Sequence, residues 1–406
     1  MAEEQRLYGL DNCRSLMVLF IVLLHAACAY ALIIPWWHAR DANHQAYDLV
    51  MLLVDTFALP ALYLVAGVFA RPSYDKRGAQ GFVLAKLKRL GIPVLLLSAL
   101  YLPAMVYAGY LNRCAEPVSF FAYWGHWMGS FLDWKLVMLT DMEVAAPYVD
   151  TFSPHHLWFI VLLLVFFAGY ALWRSLVPEQ EEATQGNGSS RGLRLLLIGG
   201  AAMVLGFFLV RLCVQDWAWG RLGPLLLFQP TRIPIYLGMF VLGVLMQPRL
   251  ASGRRMPGPS WLWLVLFLAG LGAFMALAQQ SMAAMISGHA PLWLKVAQSL
   301  VRTWMALTGA CFFVNLLLWW GNRPSAWRRS LAASSYDIYL LHMPLVVFVQ
   351  AGLLSVAMPL ALKFAVAFLV PVLACWGLSR FVLARGAWLG MALLAAFFLG
   401  YGLLYS

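Results

Sequence analysis

Residues 14–34 read RSLMVLFIVLLHAACAYALII, and this run decides the fold. It is almost wholly apolar after Arg14, and His25 is its one side chain that can carry charge near neutral pH. A helix rises 1.5 Å per residue, so about 20 such residues cross the roughly 30 Å hydrocarbon core of a bilayer. The run exceeds the roughly 7–15 apolar residues of a secretory signal. We therefore predict a retained membrane-spanning helix here.

The whole chain has the composition of a membrane protein. Of its 406 residues, 63% are hydrophobic and only 11% are charged, whereas soluble domains carry about 25% charged residues. A soluble fold of this size lacks the interior to bury so much apolar surface. The composition excludes a soluble globular enzyme, a disordered chain and a disulfide-rich secreted module.

Apolar runs of spanning length recur eleven times along the chain. The predicted fold is therefore all-α, a polytopic helical membrane protein. We expect one integral membrane domain over 1–385, with a ten-helix core, and an additional C-terminal helix within 386–406. The predicted spans are 15–34, 49–70, 90–111, 157–173, 195–213, 233–247, 260–278, 303–320, 335–357, 360–383 and 387–405.

Basic residues in the loops predict the orientation. With the N-terminus in the cytoplasm, 19 of the 28 Lys and Arg residues fall on the cytoplasmic side and 9 on the other, as the positive-inside rule requires. The polar segment 179–191 is then a flexible cytoplasmic linker. The aromatic segment 112–155 is external, and either an interfacial cap or a plain aromatic belt fits its composition.

The net charge and the cysteines suggest no further partner or cofactor. The charge of +11 is spread over short loops, so we expect membrane lipids rather than nucleic acid as partners. None of the six cysteines is spaced as CxxC, so we expect neither a disulfide framework nor a metal site. The oligomeric state stays open.

Arg14 and His25 are the most informative pair of polar residues. They are 11 residues apart, about three helical turns, so both project from one face with a separation of about 16 Å along the axis. Asp11 lies one turn before Arg14 and can pair with it. Ionisable groups inside a span are costly and usually mark a wet cavity or a functional path. A buried imidazole bonded to a neighbouring helix, or a proton relay in a transporter, are the alternatives for His25.

Three further clusters contain side chains that could take part in binding or catalysis. In residues 335–344 (SYDIYLLHMP), Ser335 and His342 are seven residues apart and share a helical face, with Tyr339 close to it. Interhelical hydrogen bonding alone could explain this polar stripe. His156 and Trp158 lie at a span end, where aromatic anchoring is ordinary. A third cluster comprises Lys86, Lys88 and Arg89, which suit lipid headgroups or a phosphate-bearing ligand such as coenzyme A.

Other ionisable residues fall within or at the edges of the predicted spans and need a partner there. They are Asp55, Arg211, Arg302, Asp337 and Lys363.

Five motifs in order along the chain resemble the membrane acyltransferase-3 family, bacterial enzymes that acylate sugars of the cell envelope. The branch looks closest to glucan succinyltransferases, because the His-Leu-Trp-Phe segment lacks the Ser-x-x-Glu continuation of other branches. The motifs are Leu10-Asp11-x-x-Arg14 with His25 after ten residues, Phe57-Ala58-Leu59-Pro60 leading to Ala66-Gly67, Lys88-Arg89-Leu90-x-Ile92-Pro93, His156-Leu157-Trp158-Phe159 and Tyr339-Leu340-Leu341-His342-x-Pro344.

The resemblance implies an enzyme of the bacterial inner membrane. Its expected reaction moves an acetyl or succinyl group from acyl-CoA to a hydroxyl of a cell-envelope carbohydrate, without a metal. In this hypothesis His25 is the general base, and Arg14 orients the donor or stabilises negative charge. The expected coenzyme A ligands are Lys86, Lys88 and Arg89, and the expected acceptor-side residues are Asp11, His156, Trp158, Tyr339 and His342.

Two other functions compete with this hypothesis. A transporter of a glycan or lipid-linked sugar would use His25, Asp55 and Asp337 for coupling or binding. A non-catalytic subunit of an export complex would need none of the buried polar residues for activity.

Overall fold

The computed structural model describes residues 8–34, 37–112, 114–139, 151–177, 189–323 and 325–406. Within these ranges, eleven helical segments are long and apolar enough to cross a membrane, which confirms the predicted all-α polytopic fold. Most of the linker 179–191 and residues 113 and 140–150 of the loop 112–155 lie outside the described residues.

The helices follow one another along the chain with short connections. The third span comprises α3, α4 and α5, with a π-helical turn at Leu87–Gly91 between α3 and α4. The helices are α1 (Tyr8–Cys28), α2 (Gln45–Asp75), α3 (Gly78–Lys86), α4 (Ile92–Leu100), α5 (Leu102–Leu111), α6 (Phe120–Gly129), α7 (Trp158–Leu176), α8 (Ser189–Cys213), α9 (Ile233–Ala251), α10 (Ser260–Ser287), α11 (Leu292–Trp320), α12 (Ala326–Leu353), α13 (Leu360–Phe381) and α14 (Ala387–Leu404).

The first helix is displaced from the predicted span 15–34, because it begins at Tyr8 and ends at Cys28. The apolar residues that follow leave the helix, and the Asp48 carboxylate accepts hydrogen bonds from the backbone N–H groups of Leu32 (2.8 Å) and Ile33 (3.1 Å). A buried carboxylate on α2 thus replaces the helical partners of these groups. Hydropathy alone could not show this, because the residues are as apolar as the helix before them.

Helix α11 is longer than predicted and begins at Leu292 rather than at residue 303. Its polar first turns contact the end of α8. Gln298 accepts a hydrogen bond from the Arg211 Nε–H (3.0 Å), and the Lys295 ammonium donates to the Leu212 carbonyl (3.4 Å). Polar residues at the span ends are therefore satisfied by neighbouring helices, so the apolar run understates the helix length.

The centre of the bundle contains a close contact between α2 and α9. A Cβ atom on Gly67 would meet the backbone carbonyl of Phe240, and one on Gly243 would meet that of Leu64. Small residues let two backbones approach in this way, which is the usual basis of tight helix packing in membranes. The Ala66-Gly67 motif thus has a packing function at its glycine.

Residues 114–139 form a folded cap on the end of the bundle that carries His25. The indole N–H groups of Trp124 and Trp127 donate to the carbonyls of Ala99 (2.8 Å) and Ser98 (3.0 Å). These carbonyls lie at the end of α4, where the helix has no further backbone N–H groups to bond them. The side chain of Trp127 is fully buried, so this part of the predicted aromatic loop packs on protein rather than only lining the membrane surface.

A small antiparallel sheet lies next to the cap, and the sequence did not predict it. Its strands are β1 (Leu136–Leu139), β2 (Trp219–Leu222) and β3 (Leu226–Phe228), in the order β1-β2-β3. Residue Val137 pairs with Arg221, and Arg221 with Leu227. The strands come from two distant loops, so no local pattern marks the pairing.

Candidate active site

Helix α12 holds Arg14 of α1 at one end of the bundle. The Arg14 Nε–H donates to the Ser335 hydroxyl (3.3 Å), and Nη2 donates to the Ala332 carbonyl (3.1 Å). Nη2 also pairs with the Asp11 carboxylate at 3.3 Å, which confirms the predicted ion pair one turn away. The guanidinium is thereby fixed in direction while its side chain keeps 34% of its surface exposed.

His25 contacts the same helix farther along. Its Nδ1 atom lies 2.9 Å from Nε2 of His342, and the two rings stack with centroids 5.1 Å apart. Arg14 and His25 therefore both project from α1 toward α12, as their spacing predicts. Eleven residues at 1.5 Å each separate them by about 16 Å along the helix.

The surroundings of His342 decide which ring nitrogens carry protons. Its Nδ1 atom faces the carbonyls of Ile338 (3.0 Å) and Tyr339 (2.8 Å), which only accept, so Nδ1 carries the proton and donates. In the neutral imidazole Nε2 then has the lone pair and accepts the Nδ1–H of His25. The Nε2 lone pair of half-buried His25 has no partner among the described residues, and it is the nitrogen available as a base.

Pro344 explains how His156 joins this pair. A proline has no N–H, so the carbonyl four residues earlier, that of Leu340, lacks its helical donor. His156 supplies it, with Nε2 at 3.3 Å from the Leu340 oxygen. The ring of His156 then lies with its centroid 4.9 Å from that of His342. The Tyr339 hydroxyl donates to the His156 carbonyl (2.5 Å) and fixes the backbone there.

The neighbouring residue His155 points elsewhere. Its ring stacks on Trp127 of the cap with centroids 5.8 Å apart, and its backbone φ is +42°. The two adjacent histidines therefore point in different directions, His155 toward the cap and His156 toward His342. Within the described ranges, no group of three His, Cys, Asp or Glu side chains is arranged to hold a metal ion.

The loop after α1 covers His25, a contact that the sequence analysis missed. The Trp37 ring lies parallel to the His25 ring with centroids 6.0 Å apart. Gln350 of α12 accepts from the Trp37 indole (2.7 Å) and donates to the carbonyls of His25 (3.2 Å) and Ala26 (3.0 Å). A single amide thus joins α12 to the end of α1 and to the covering loop. In the sequence, the isolated Gln350 within an apolar stretch was the feature that could have indicated this contact.

Arg89 lies beside the Arg14 end of α12. Pro93 removes the helical donor of the Arg89 carbonyl, and the Tyr336 hydroxyl donates to that carbonyl instead (2.7 Å). The Arg89 guanidinium also lies 5.9 Å from the Tyr336 ring. Because Tyr336 follows Ser335, the partner of Arg14, the two arginines flank one turn of α12. Lys88 and Arg89 are both exposed.

Lys86 does not share that surface. Its ammonium group lies over the rings of Phe167 (4.2 Å) and Phe82 (5.1 Å), a cation–π arrangement inside the bundle. The attraction between a cation and an aromatic face is stronger when the pair is shielded from water. The structure therefore leaves two of the three predicted basic residues, Lys88 and Arg89, exposed, whereas Lys86 turns toward aromatic rings.

Trp158 also lies apart from the histidines. It contacts the rings of Trp219 (5.4 Å) and Tyr236 (5.9 Å) and so points toward α9 and the small sheet. Beyond it lies a network of charged side chains, of which the sequence analysis named only Asp55, Arg211 and Arg302, each as a separate costly residue. Its members are Asp55, Arg211, Asp216, Arg232 and Arg302.

Asp216 is the centre of that network. Its two carboxylate oxygens contact Arg232 (2.7 Å) and Arg302 (3.0 Å). Burial alone would raise the pKa of Asp216, but the guanidiniums of Arg232, Arg302 and Arg211 outweigh burial and hold the pKa at about 2. The carboxylate thus stays charged at every physiological pH.

The remaining predicted ionisable residues are also satisfied. Lys363 pairs with Asp41 at 2.6 Å and ties the loop after α1 to α13. Asp337 accepts a hydrogen bond from the Ser379 hydroxyl at 2.5 Å. Both pairs hold neighbouring helices or loops together, and neither contacts His25.

Comparison with known protein families gives a match over most of the chain. The family model of the acyltransferase-3 domain, described as an acyltransferase domain, matches residues 7–380. The chain belongs to the acyltransferase-3 family. It is therefore a membrane acyltransferase, an enzyme of the EC 2.3.1 type. No curated protein and no solved structure matches it.

The matched region contains α1, α12 and all of the residues around His25, and it stops before α14 begins. The division into 1–385 and 386–406 stays a prediction. The last helix nonetheless packs on the cap, since Phe120 N–H donates to the Tyr405 carbonyl (2.9 Å).

Proposed function

We propose that this acyltransferase transfers an acetyl or succinyl group from acyl-CoA to a hydroxyl of a cell-envelope carbohydrate, in the bacterial inner membrane. The observation that carries the proposal is the His25–His342 pair. The relay from two backbone carbonyls through His342 leaves the Nε2 lone pair of His25 unshared. A neutral imidazole in this state can take a proton from an alcohol.

In the proposed reaction the acceptor oxygen attacks the thioester carbonyl. A new C–O bond forms, the C–S bond breaks, and the acceptor proton passes to Nε2 of His25. The same nitrogen then returns the proton to the departing coenzyme A sulfur. His342 stabilises the intermediate imidazolium of His25, because its Nε2 lone pair accepts the Nδ1–H. His342 would thus act like the residue that orients the base in other acid–base pairs.

Arg14 has a different proposed role from that of an oxyanion donor. About 16 Å along α1 separates it from His25, so it cannot contact an oxygen that reacts at the imidazole. We assign it to orienting the donor at the cytoplasmic mouth, next to exposed Lys88 and Arg89, where phosphate groups would bind. The extended pantetheine chain would then reach along α1 toward His25. Asp11 fixes the guanidinium.

On the acceptor side, the proposal places the carbohydrate near His156, Tyr339 and Trp158. His342 contacts His25 directly and serves the base rather than the sugar. Because the Lys86 ammonium group packs over the Phe167 ring, Lys86 is the least well placed of the three proposed coenzyme A ligands. A glucan acceptor and a succinyl donor are the finer form of the proposal. Family membership favours this function over a transporter or a non-catalytic subunit.

The test is acyl transfer in membranes that contain His25→Ala or Arg14→Ala. We expect His25→Ala to lower the rate by about 100-fold or more, the usual contribution of a general base. Arg14→Ala should chiefly raise the KM for the acyl-CoA donor. Mass spectrometry of envelope glycans from cells with and without the protein identifies the product.

Two exposed residues serve as matched controls, His126 on the cap and Arg329 on α12. Their alanine variants should keep acyl transfer within about twofold of wild type. Normal transfer by His25→Ala at normal protein abundance would show that the base is assigned wrongly.

A further inference from the structure

A charged network lies between α2, α9 and α11, near the small sheet. Asp55 of α2 contacts Arg302 (3.4 Å) and Arg232 (3.9 Å), and the same two arginines hold Asp216. Arg211 adds a third guanidinium, with Gln298 and the Val214 carbonyl as its neutral acceptors. The network thus has three guanidiniums and two carboxylates, and it is rigid because each carboxylate contacts two arginines.

Asp55 is the member of this network that remains accessible. Its side chain is 32% exposed, compared with 8% for Asp216 and 7% for Arg232. Both of its arginine contacts use the Oδ2 atom. Oδ1 therefore keeps its lone pairs for a hydrogen-bond donor, within the part of the chain that the structure describes. A guanidinium only donates hydrogen bonds. The acceptor that this surface presents to a ligand is therefore the Asp55 carboxylate, which the arginines hold in a fixed direction.

Tyr236 supplies a second, independent indication of a ligand. Its side chain is 1% exposed, and its hydroxyl has no hydrogen-bond partner among the described residues. A buried hydroxyl without a partner is costly and needs an explanation. Tyr236 lies one helical turn after Arg232, and Arg232 contacts the Asp55 carboxylate, so an unsatisfied donor and an accessible acceptor lie in the same region.

Aromatic rings connect this region with the histidines. Tyr236 contacts Trp158, which contacts half-buried Trp219 of the sheet at 5.4 Å. On the other side, Tyr236 stacks on Tyr63, Tyr63 contacts Phe159, and Phe159 contacts Tyr339, whose hydroxyl donates to the His156 carbonyl. The network is therefore a neighbour of the reaction site, reached across Tyr236 and Tyr339.

We propose that Asp55 and Tyr236, with the ring of Trp219, form a subsite for a neutral sugar unit of the acceptor, adjacent to the unit that is acylated. The inference rests on the proposed function for the identity of the ligand as an acceptor. Sugar hydroxyls would donate to Asp55 Oδ1 and accept from the Tyr236 hydroxyl, while an apolar sugar face packs on the indole.

A neutral sugar fits this surface better than an anionic one. The three guanidiniums would attract an anion, but Arg211 and Arg232 are buried and Arg302 is already paired with both carboxylates. The accessible atom is the oxygen of a carboxylate, which repels a negative ligand and accepts from hydroxyl groups.

The test is calorimetric titration of the full chain in lipid nanodiscs with neutral oligosaccharides of glucose, galactose and rhamnose, and with an oligosaccharide of a uronic acid. Tyr236→Phe should weaken binding of a neutral oligosaccharide by about three- to tenfold, the effect of one hydrogen bond between uncharged groups. Asp55→Asn should weaken it by tenfold or more. In acyl transfer, Tyr236→Phe should raise the acceptor KM more than it lowers kcat.

Tyr30→Phe is the matched control. Tyr30 is also 1% exposed, and its hydroxyl also has no partner among the described residues, but it lies near Tyr47 and Phe364. Its variant should bind sugar within twofold of wild type. Because neither tyrosine hydroxyl has a hydrogen bond to lose, both variants should fold, even if Asp55→Asn does not.

Three results would overturn the subsite: equal sugar affinity in wild type and Tyr236→Phe, binding of the anionic oligosaccharide in preference to every neutral one, or no binding of any neutral oligosaccharide. Acyl transfer on the same preparations separates this inference from the function. Sugar binding through Tyr236 without acyl transfer refutes only the function. Acyl transfer with unchanged sugar binding in Tyr236→Phe refutes only the subsite.

Discussion

His342 holds its Nδ1 proton between two backbone carbonyls and presents its Nε2 lone pair to His25. The carbonyls belong to the helix of His342 itself, so the proton position follows from the rotamer of one side chain. This local contact sets the proton position in the neighbouring imidazole across a helix interface. A single residue thereby decides which nitrogen of His25 can act as a base.

The first residue-scale prediction tests that relay. His342→Phe keeps the ring volume but removes the acceptor, so we expect acyl transfer to fall by about 100-fold. His342→Gln should recover part of the loss, because its amide oxygen can accept the His25 Nδ1–H. Initial rates at saturating acyl-CoA measure both variants, and His155→Asn, which suits the positive φ, controls for a buried histidine nearby. Equal rates for the Phe and Gln variants would contradict the relay.

The second residue-scale prediction concerns Asp216 and pH. The pKa of Asp216 is held at about 2, below the ordinary 3.8, so its stabilising effect is complete above about pH 4 and is lost as the pH falls through about 2. The shift corresponds to about 2 kcal/mol. Asp216→Asn should lower the Tm at pH 7, and the difference from wild type should shrink between pH 4 and 2.

Thermal unfolding in detergent from pH 7 to pH 2.5 measures this difference. The matched control is Asp75→Asn, because the Asp75 side chain is 45% exposed and water screens its ion pairs with Arg71 and Arg174. A pH-independent difference between Asp216→Asn and wild type would show that the carboxylate contributes by packing rather than by charge.

Three prolines have the same effect at the scale of the helix. Pro93, Pro103 and Pro344 each remove an N–H, and the carbonyl four residues earlier is left without a helical donor. Side chains from other segments take the place of that donor: Tyr336 bonds the Arg89 carbonyl, Trp124 that of Ala99 and His156 that of Leu340. These three prolines, of which Pro93 and Pro344 belong to the sequence motifs, therefore act as docking points between helices.

The element-scale prediction concerns the last helix, α14. A Cβ atom on Gly402 would meet the ring of Phe121 on the cap, whereas none lies within 4 Å of one on Gly400. Gly402→Ala should therefore destabilise the protein by about 1–3 kcal/mol through overpacking. Gly400→Ala is the matched control and should keep or raise the Tm. Equal melting temperatures for the two variants in detergent would mean that α14 does not pack on the cap.

At the scale of the whole molecule, the proposed donor mouth and the proposed base lie toward opposite ends of α1. Arg14, Lys88 and Arg89 lie toward one end, and the histidines lie toward the other beneath the loop that carries Trp37. Arg14 and Arg89 are linked through Ser335 and Tyr336 of α12. An acyl group entering beside the cations would thus move along α1 to an acceptor on the other side. The excess of basic loop residues predicts that the end with these cations faces the cytoplasm.

Cysteine labelling tests this orientation. In a variant whose six native cysteines are replaced, Asn43→Cys lies at the His25 end and Ser252→Cys at the Arg14 end, and both positions are exposed. A maleimide that cannot cross membranes should label position 43 but not position 252 in spheroplasts. Both should react after the membranes are permeabilised. The reverse pattern would invert the topology and remove the donor from the cytoplasm.

The sequence by itself determined the membrane fold, the number of spans and the pairing of Asp11 with Arg14. These follow from local properties, namely the length of an apolar run and the period of a helix. It also predicted that Arg14 and His25 share a face. It placed Lys86 with Lys88 and Arg89, because spacing alone does not show which side chain turns toward aromatic rings.

Only the tertiary structure decided which groups from distant segments meet. The contact of His25 with His342 joins residues 317 positions apart, and the Asp55–Arg302 ion pair spans 247. Each depends on helix crossing angles that small residues such as Gly67 and Gly243 permit, and no periodicity along the chain encodes those angles. The proton arrangement of the base and the charged network are for that reason properties of the packed bundle.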